Sequence, residues 1–152
     1  MRLQRARDKA QAKARSRTTS IATRFDRICL VLEALGYLAD DGHQVTDRGR
    51  MLSRIYSELD LVTCEAIGEG IFDELDPADL AAVLSTLVHE SRPGDRGRMM
   101  RMPTHESERA ESRLRAVRAR VGRQERDQRL EPRRDLDIGF AETCLLYTSP
   151  SP

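Results

Sequence analysis

The chain has 152 residues, 34% of them charged and only 4% aromatic, with a formal net charge of +1. That length allows one domain with a modest core, and no apolar run approaches the roughly 18 residues that a membrane-spanning helix needs. The near-neutral total hides three blocks, +7 over residues 1–24, −10 over 25–90 and +4 over 91–152, so a broad basic face is excluded for the middle of the chain and attraction to a phosphate backbone falls to its flanks.

Residues 2–17 are basic and Ala-rich, with Leu3 the sole large apolar side chain. Without an apolar stripe they form either a solvated helix or a disordered lead-in. Thr18, Thr19 and Ser20 are N-cap candidates for the next segment, in which Ile21, Phe25, Ile28, Leu32 and Leu35 recur at spacings of four and three. This pattern predicts a core-facing helix, with Gly36 as its left-handed terminator and Tyr37-Leu38 folding back on it. Asp40-Asp41-Gly42 is a turn signal, and Val45-Thr46 can form at most a very short strand, which together make a rudimentary wing.

Thr46 or Asp47 can cap a second helix with a stripe of Met51, Leu52, Ile55 and Tyr56. Arg48, Arg50 and Arg54 then occupy its other face. Two readings stand for these arginines: a contact line to phosphate, or a solvated face paired with Asp47 or Glu58 by helical spacing. Asp60 can open a third helix carrying Leu61, Val62, Ile67 and a short Gly68 to Gly70 break, then Ile71-Phe72. Asp76 as N-cap, Pro77 at the first helical position and Asp79 in the first turn form the clearest helix start in the chain. Leu80, Val83, Leu84, Leu87 and Val88 are its expected buried face.

Glu90 falls in the last turn of that helix on this reading, where a carboxylate meets the negative end of the macrodipole. Either Arg92 neutralises it or it serves a contact. A basic loop follows from Arg92 to Met102. Pro103-Thr104 then starts a long helix to about Leu130, with Leu114, Val117 and Val121 at heptad-like spacing and Arg113, Arg115, Arg118, Arg120 and Arg123 around them. Such a helix can bind RNA, but the interspersed Glu125, Asp127 and Glu131 suit a solvated face equally well. Cys29, Cys64 and Cys144 show no CxxC or Cys-His spacing, and the first two read as buried structural thiols.

Six features in order, Leu35-Gly36-Tyr37, Val45-Thr46, Gly49-Arg50 before the next helix, Glu58-Leu59, Leu84-Ser85 and Glu90, resemble the DSHCT domain, the C-terminal helical domain of Ski-type DExH-box RNA helicases. The Arg-rich, Lys-poor wording is most similar to its actinobacterial, HelY-like members; Lys9 and Lys13 are the only lysines. The expected fold is all-α, a bundle of amphipathic helices with at most a two-stranded wing near residues 38–46. Residues 1–17 form a lead-in and 18–143 a partial DSHCT-like domain, with a core over 24–92 and the Arg-rich helix over about 104–130. The last nine residues, 144–152, resemble translated sequencing adapter and are set aside as non-native. On that reading Ile138-Gly139-Phe140 begins a truncated helix, Met1 need not be the natural start, and earlier helices are left with uncovered apolar faces.

The resemblance implies a segment that guides single-stranded RNA and packs over the RecA-like motor domains of an ATP-dependent 3′-to-5′ helicase. It also implies a nucleic-acid-facing set of Arg48, Arg50, Arg54, Glu90 and Arg92, in which Glu90 accepts hydrogen bonds from base edges. ATP and Mg²⁺ are implied for the parent protein. This chain has no GxxxxGK(S/T) loop, DExH sequence or HExxH pair and scatters its histidines at 43, 89 and 105, so no cofactor, metal or catalytic residue is expected in it. The expected compartment is the cytoplasm, since no signal-peptide apolar region follows the basic start. Two other readings remain, a winged-helix DNA-binding regulator and a helical adaptor that binds only protein.

Overall fold

In the computed structural model, residues 20–91 and 101–148 are described; the basic lead-in, Arg92 with most of its loop, and the last four residues lie outside them. Helix α1 occupies 20–34. It closes as the glycine predicts: Gly36 adopts φ +76°, its amide bonds to the Glu33 carbonyl at 2.9 Å, and the Tyr37 amide reaches back to Leu32 at 2.8 Å. Tyr37 is thereby turned inward and is 1% exposed.

The wing is as small as expected. Strands β1 (Leu38–Ala39) and β2 (Gln44–Val45) pair antiparallel, Leu38 opposite Val45 and Ala39 opposite Gln44. Asp40, Asp41 and Gly42 all take positive φ between them. Thr46 then ties the wing's two ends together, donating its hydroxyl to the Gly36 carbonyl at 2.8 Å and its amide to that of Tyr37 at 3.1 Å. The same hydroxyl accepts from the Gly49 amide and caps helix α2 (Asp47–Leu52).

Gly49-Arg50 therefore lies inside α2 rather than ahead of it. The helix is also shorter than its stripe suggested: the Ser53 hydroxyl takes the Arg50 carbonyl at 2.9 Å as the helix ends. Tyr56, beyond that end, is 96% exposed instead of packed.

Helix α3 (Asp60–Gly68) is closed by a second left-handed glycine, Gly70, with Ile71 bonded back to Ala66. Helix α4 (Pro77–Val88) starts where predicted, the Asp76 carboxylate accepting from the amides of Ala78 at 2.9 Å and Asp79 at 2.8 Å. Replacing this cap, Asp76→Ala, is expected to destabilise the fold by about 1 kcal/mol, read as a lower urea midpoint at unchanged slope.

The buried face of α4 is rotated from the expected one. Val83 and Leu87 are buried, but so are Ala78, Ala82 and Thr86, while Leu84 and Val88 look outward. The small residues permit close approach of helix α5 (His105–Asp127) and helix α6 (Ala141–Thr148), both packed on α4. Helix α6 begins three residues after Ile138, and Leu145, from the stretch the sequence reading set aside, packs against the core.

The extended segment before α6 crosses the end of α4. The Asp137 amide takes the Thr86 carbonyl at 3.0 Å and the Arg134 guanidinium takes that of Leu87 at 2.6 Å. With those carbonyls captured from outside, the helix stops at Val88 and His89 is extended. Glu90 is consequently beyond the helix, not in its last turn, and the opposed macrodipole gives no reason for its presence.

Helix α5 is the organising element. Thr104 and Ser107 form a reciprocal capping box at its start, and its 23 residues span about 34 Å. Its seam of Ala110, Leu114, Val117 and Val121 packs on Leu59, Val62 and Ala66 of the α3 region and on Val83 and Leu87 of α4. The predicted seam is thus the core.

One prediction is not met by α1. Ile21 is 70% exposed and Phe25 64%, and burial begins only at Val31. No described element lies over the first two turns, so a sequence pattern made for a core meets solvent there.

Candidate interaction surface

The sequence-derived arginines do not act as one set. Arg48 turns toward the body and binds Glu65, its guanidinium 5.0 Å from the centre of the Tyr37 ring. Arg50 pairs with Asp47 and also donates to the Val45 carbonyl at 3.1 Å, the pairing that helical spacing offered. Arg54 is exposed and has no ion pair to a described residue. Glu90 is exposed on the segment after α4, and Arg92 is outside the described residues.

Sequence reasoning missed the centre on which several of these elements converge. Glu65 is 6% exposed on α3 and accepts from the Tyr37 hydroxyl at 2.6 Å, from Arg48, and from Arg120 of α5 at 3.0 Å. Arg120 reaches Glu69 as well, and Arg113 donates to the Glu69 carbonyl at 2.8 Å. Burial, then the bond to Glu65, pushes the Tyr37 phenol above its ordinary value, so it remains a donor. Neighbouring Cys64 is fully buried, and burial likewise raises its thiol, which leaves an inert packing group. The available signal was a glutamate three residues from Val62 on a buried face, with no basic residue at helical spacing to meet it.

Arg118 is the second interior arginine. It lies 3.6 Å from Glu125 and donates to the carbonyls of Arg133 and Arg134, fastening the chain leaving α5. Arg118 and Glu125 stand seven residues apart, outside the three- and four-residue spacing at which helical side chains pair, and the carbonyls that bury Arg118 come from a non-helical return. Most arginines of α5 that are bonded at all are thus spent on the fold.

At the far end of α4, Asp137 accepts from the Ser91 amide at 2.6 Å, the Ser91 hydroxyl at 2.9 Å and the Gly139 amide at 2.8 Å. His89 stacks on Phe140 with ring centres 5.3 Å apart. Burial alone would raise the Asp137 carboxyl, but the amides, the hydroxyl and the nearby His89 more than offset it and hold it below the usual range. A depressed folded value adds stability that is present above the unfolded pKa near 3.9 and is lost as pH falls through the folded value. The stability gap between the native chain and Asp137→Asn is expected to narrow below about pH 4 in urea melts taken along a pH series.

What remains open is a cleft of about 870 Å³ between α1, the start of α3 and the C-terminal half of α5. Ile28, Val31, Leu32, Leu61, Val62 and Val121 line it, and the exposed Ile21 and Phe25 precede Ile28 at helical spacing. Among the described residues no group of three or more His, Cys, Asp or Glu side chains could hold a metal ion, and no helix is long and apolar enough to cross a membrane.

The described residues thus form an all-α domain with a vestigial wing, several arginines bonded within the fold, and the first two turns of one amphipathic helix exposed. The chain belongs to the DSHCT (NUC185) domain family, whose model matches residues 42–149. Over 73 residues it is 42% identical to the Probable helicase HelY of Mycobacterium leprae (strain TN), a match covering 46% of this chain and 8% of that protein. The matched part is therefore a small fraction of the relative's length. No solved structure matches the chain.

Proposed function

We propose that this chain is the C-terminal segment of an ATP-dependent 3′-to-5′ RNA helicase of the cytoplasm, where it packs over the RecA-like motor domains and guides the single strand leaving them. ATP and Mg²⁺ are bound by the parent protein's motor. Family membership and the likeness to a helicase support the assignment. The observation that carries the packing role is the bare stripe of Ile21 and Phe25, because an exposed apolar face at helical spacing marks an interaction surface.

The RNA-facing residues on this reading are Arg50 and Arg54 at the end of α2, with Glu90 and Arg92 after α4. Arg48 holds α2 against Glu65 and so sets the aim of the other two. Glu90 cannot bind phosphate and would meet base edges. A duplex-DNA regulator fits less well: a six-residue α2 and strands of two residues offer neither a full recognition helix nor a wing.

The test uses the Mycobacterium leprae relative with its matching segment deleted. Adding this chain in trans is expected to raise the ATP hydrolysis that single-stranded RNA stimulates, and Phe25→Glu to abolish the gain. No gain at saturating chain would sink the proposal.

A further inference from the structure

The rim of the α1–α5 cleft is charged, and its charges are unevenly satisfied. Among the acids lining it, Glu125 is engaged by Arg118 at 3.6 Å, Glu58 by Arg134 at 3.1 Å, and the Asp60 carboxylate accepts from the Leu61 amide at 2.7 Å at the start of α3. Glu131 alone has no partner among the described residues. On the other side, Arg24, Arg27, Arg129 and Arg133 line the same cleft and form no ion pair with a described residue. Arg27 spends one N–H on the Arg129 carbonyl at 3.4 Å. Counted by ion pairs alone, the four arginines stand against two carboxylates, Asp60 and Glu131, so the cleft combines an aliphatic floor with a modest surplus of unneutralised guanidinium groups.

Two classes of polymer could use such a surplus. Single-stranded nucleic acid needs aromatic platforms for its bases as well as cations for its phosphates; the described cleft lining contains no aromatic side chain, and the exposed Phe25 of α1 is not part of it. A helix needs a row of apolar contacts at spacings of three and four, which Ile21, Phe25, Ile28 and Leu32 supply along α1.

We propose that the cleft is the seat of an amphipathic helix whose apolar stripe is flanked by Asp or Glu, contributed by the motor part of the parent polypeptide. This rests on the reading that α1 packs against that motor, and adds to it the chemistry of the covering element. The aliphatic floor takes the stripe, Ile21 and Phe25 widen the contact beside the lining residues Ser20 and Arg24, and Arg24, Arg27, Arg129 and Arg133 meet the acidic flanks. Pairing of this kind selects partners mainly by rejecting the wrong charge.

The experiment measures fluorescence anisotropy of a labelled synthetic helix, about five turns long, with leucines on one stripe and glutamates flanking it. It is titrated with the full chain beside the same peptide carrying lysines and beside single-stranded RNA. Expected are binding of the glutamate peptide, no binding of the lysine peptide, and an affinity loss of at least about tenfold for Phe25→Glu. The double variant Arg24→Glu/Arg27→Glu should reverse the preference and take up the lysine peptide. Phe25 and Arg24 are exposed and Arg27 is half-buried, none of them in the core, and unchanged thermal melting checks that the fold holds.

Equal binding of both peptides, binding of neither, displacement of the glutamate peptide by RNA, or self-association of the chain through Phe25 would each overturn the proposal. Failure of the peptides alongside restored ATP hydrolysis in trans would remove the acidic helix and leave the packing role standing. Peptide binding without restored hydrolysis would do the reverse.

Discussion

Glu65→Ala is expected to destabilise the fold by about 3 kcal/mol, read as a fall in the urea midpoint. The side chain is buried and holds three donors from three parts of the chain: Tyr37 at the end of α1, Arg48 of α2 and Arg120 of α5. Its removal leaves a phenol that is 1% exposed without an acceptor, which costs about 1–3 kcal/mol. The two guanidinium groups lose their charge partner as well. Their side chains are 46% and 37% exposed, so water recovers part of that loss and the total falls at the lower end of what breaking a buried pair costs. Glu65→Gln keeps an acceptor for Tyr37 and should fall between alanine and the native chain. An alanine variant within about 0.5 kcal/mol of native stability, the range of ordinary surface changes, would show that these elements are held by packing alone.

The second large effect concerns a sign. Glycine to alanine inside a helix ordinarily stabilises by about 1 kcal/mol. At Gly49 of α2 the new Cβ would fall on the carbonyl oxygen of Tyr37 and 2.7 Å from Val45 Cγ1. That carbonyl cannot retreat easily, since both the amide and the hydroxyl of Thr46 are bonded to it at 3.1 Å. Gly49→Ala is expected to lower stability by about 2 kcal/mol, overpacking outweighing propensity. It should also loosen the wing, seen as faster amide exchange at Thr46. An alanine variant as stable as the native chain would mean that α2 does not press on the wing as described.

The local chemistry of this fold was legible. Gly36, Asp76-Pro77 and Thr104 each carry the conformational reason for a helix end in their own side chain or lack of one, and all three perform as read. The α5 seam was equally plain because three buried positions repeat along one long helix. Faces set by crossing segments were not legible. Helix α4 buries a rotated face because α5 and α6 both pack on it, and it stops where Arg134 and Asp137, some 50 residues on, take its last carbonyls. Nothing around Val88 announces that.

The candidate site was read by residue type more than by arrangement. Arg48, Arg50 and Arg54 looked alike on a helical wheel, yet one binds a buried glutamate, one its own helix, and one no described residue. Their difference is decided by Glu65 and by the six-residue length of α2, both tertiary facts. The α1 stripe was read as core, but no described element covers its first two turns, which the spacing of Ile21 and Phe25 could not show. The arginine surplus around the cleft likewise joins residues near 27 and near 131, a juxtaposition that only the path of α5 creates.

The central claim is that the uncovered face of α1 is where this domain meets its motor. Amide hydrogen exchange of the full chain, alone and mixed with the Mycobacterium leprae helicase lacking its matching segment, addresses it residue by residue. The account predicts new protection across 20–34 and at the facing end of α5, with the wing and α2 little changed. Protection confined to α2 and the segment around Glu90, with α1 exchanging as fast as before, would contradict it.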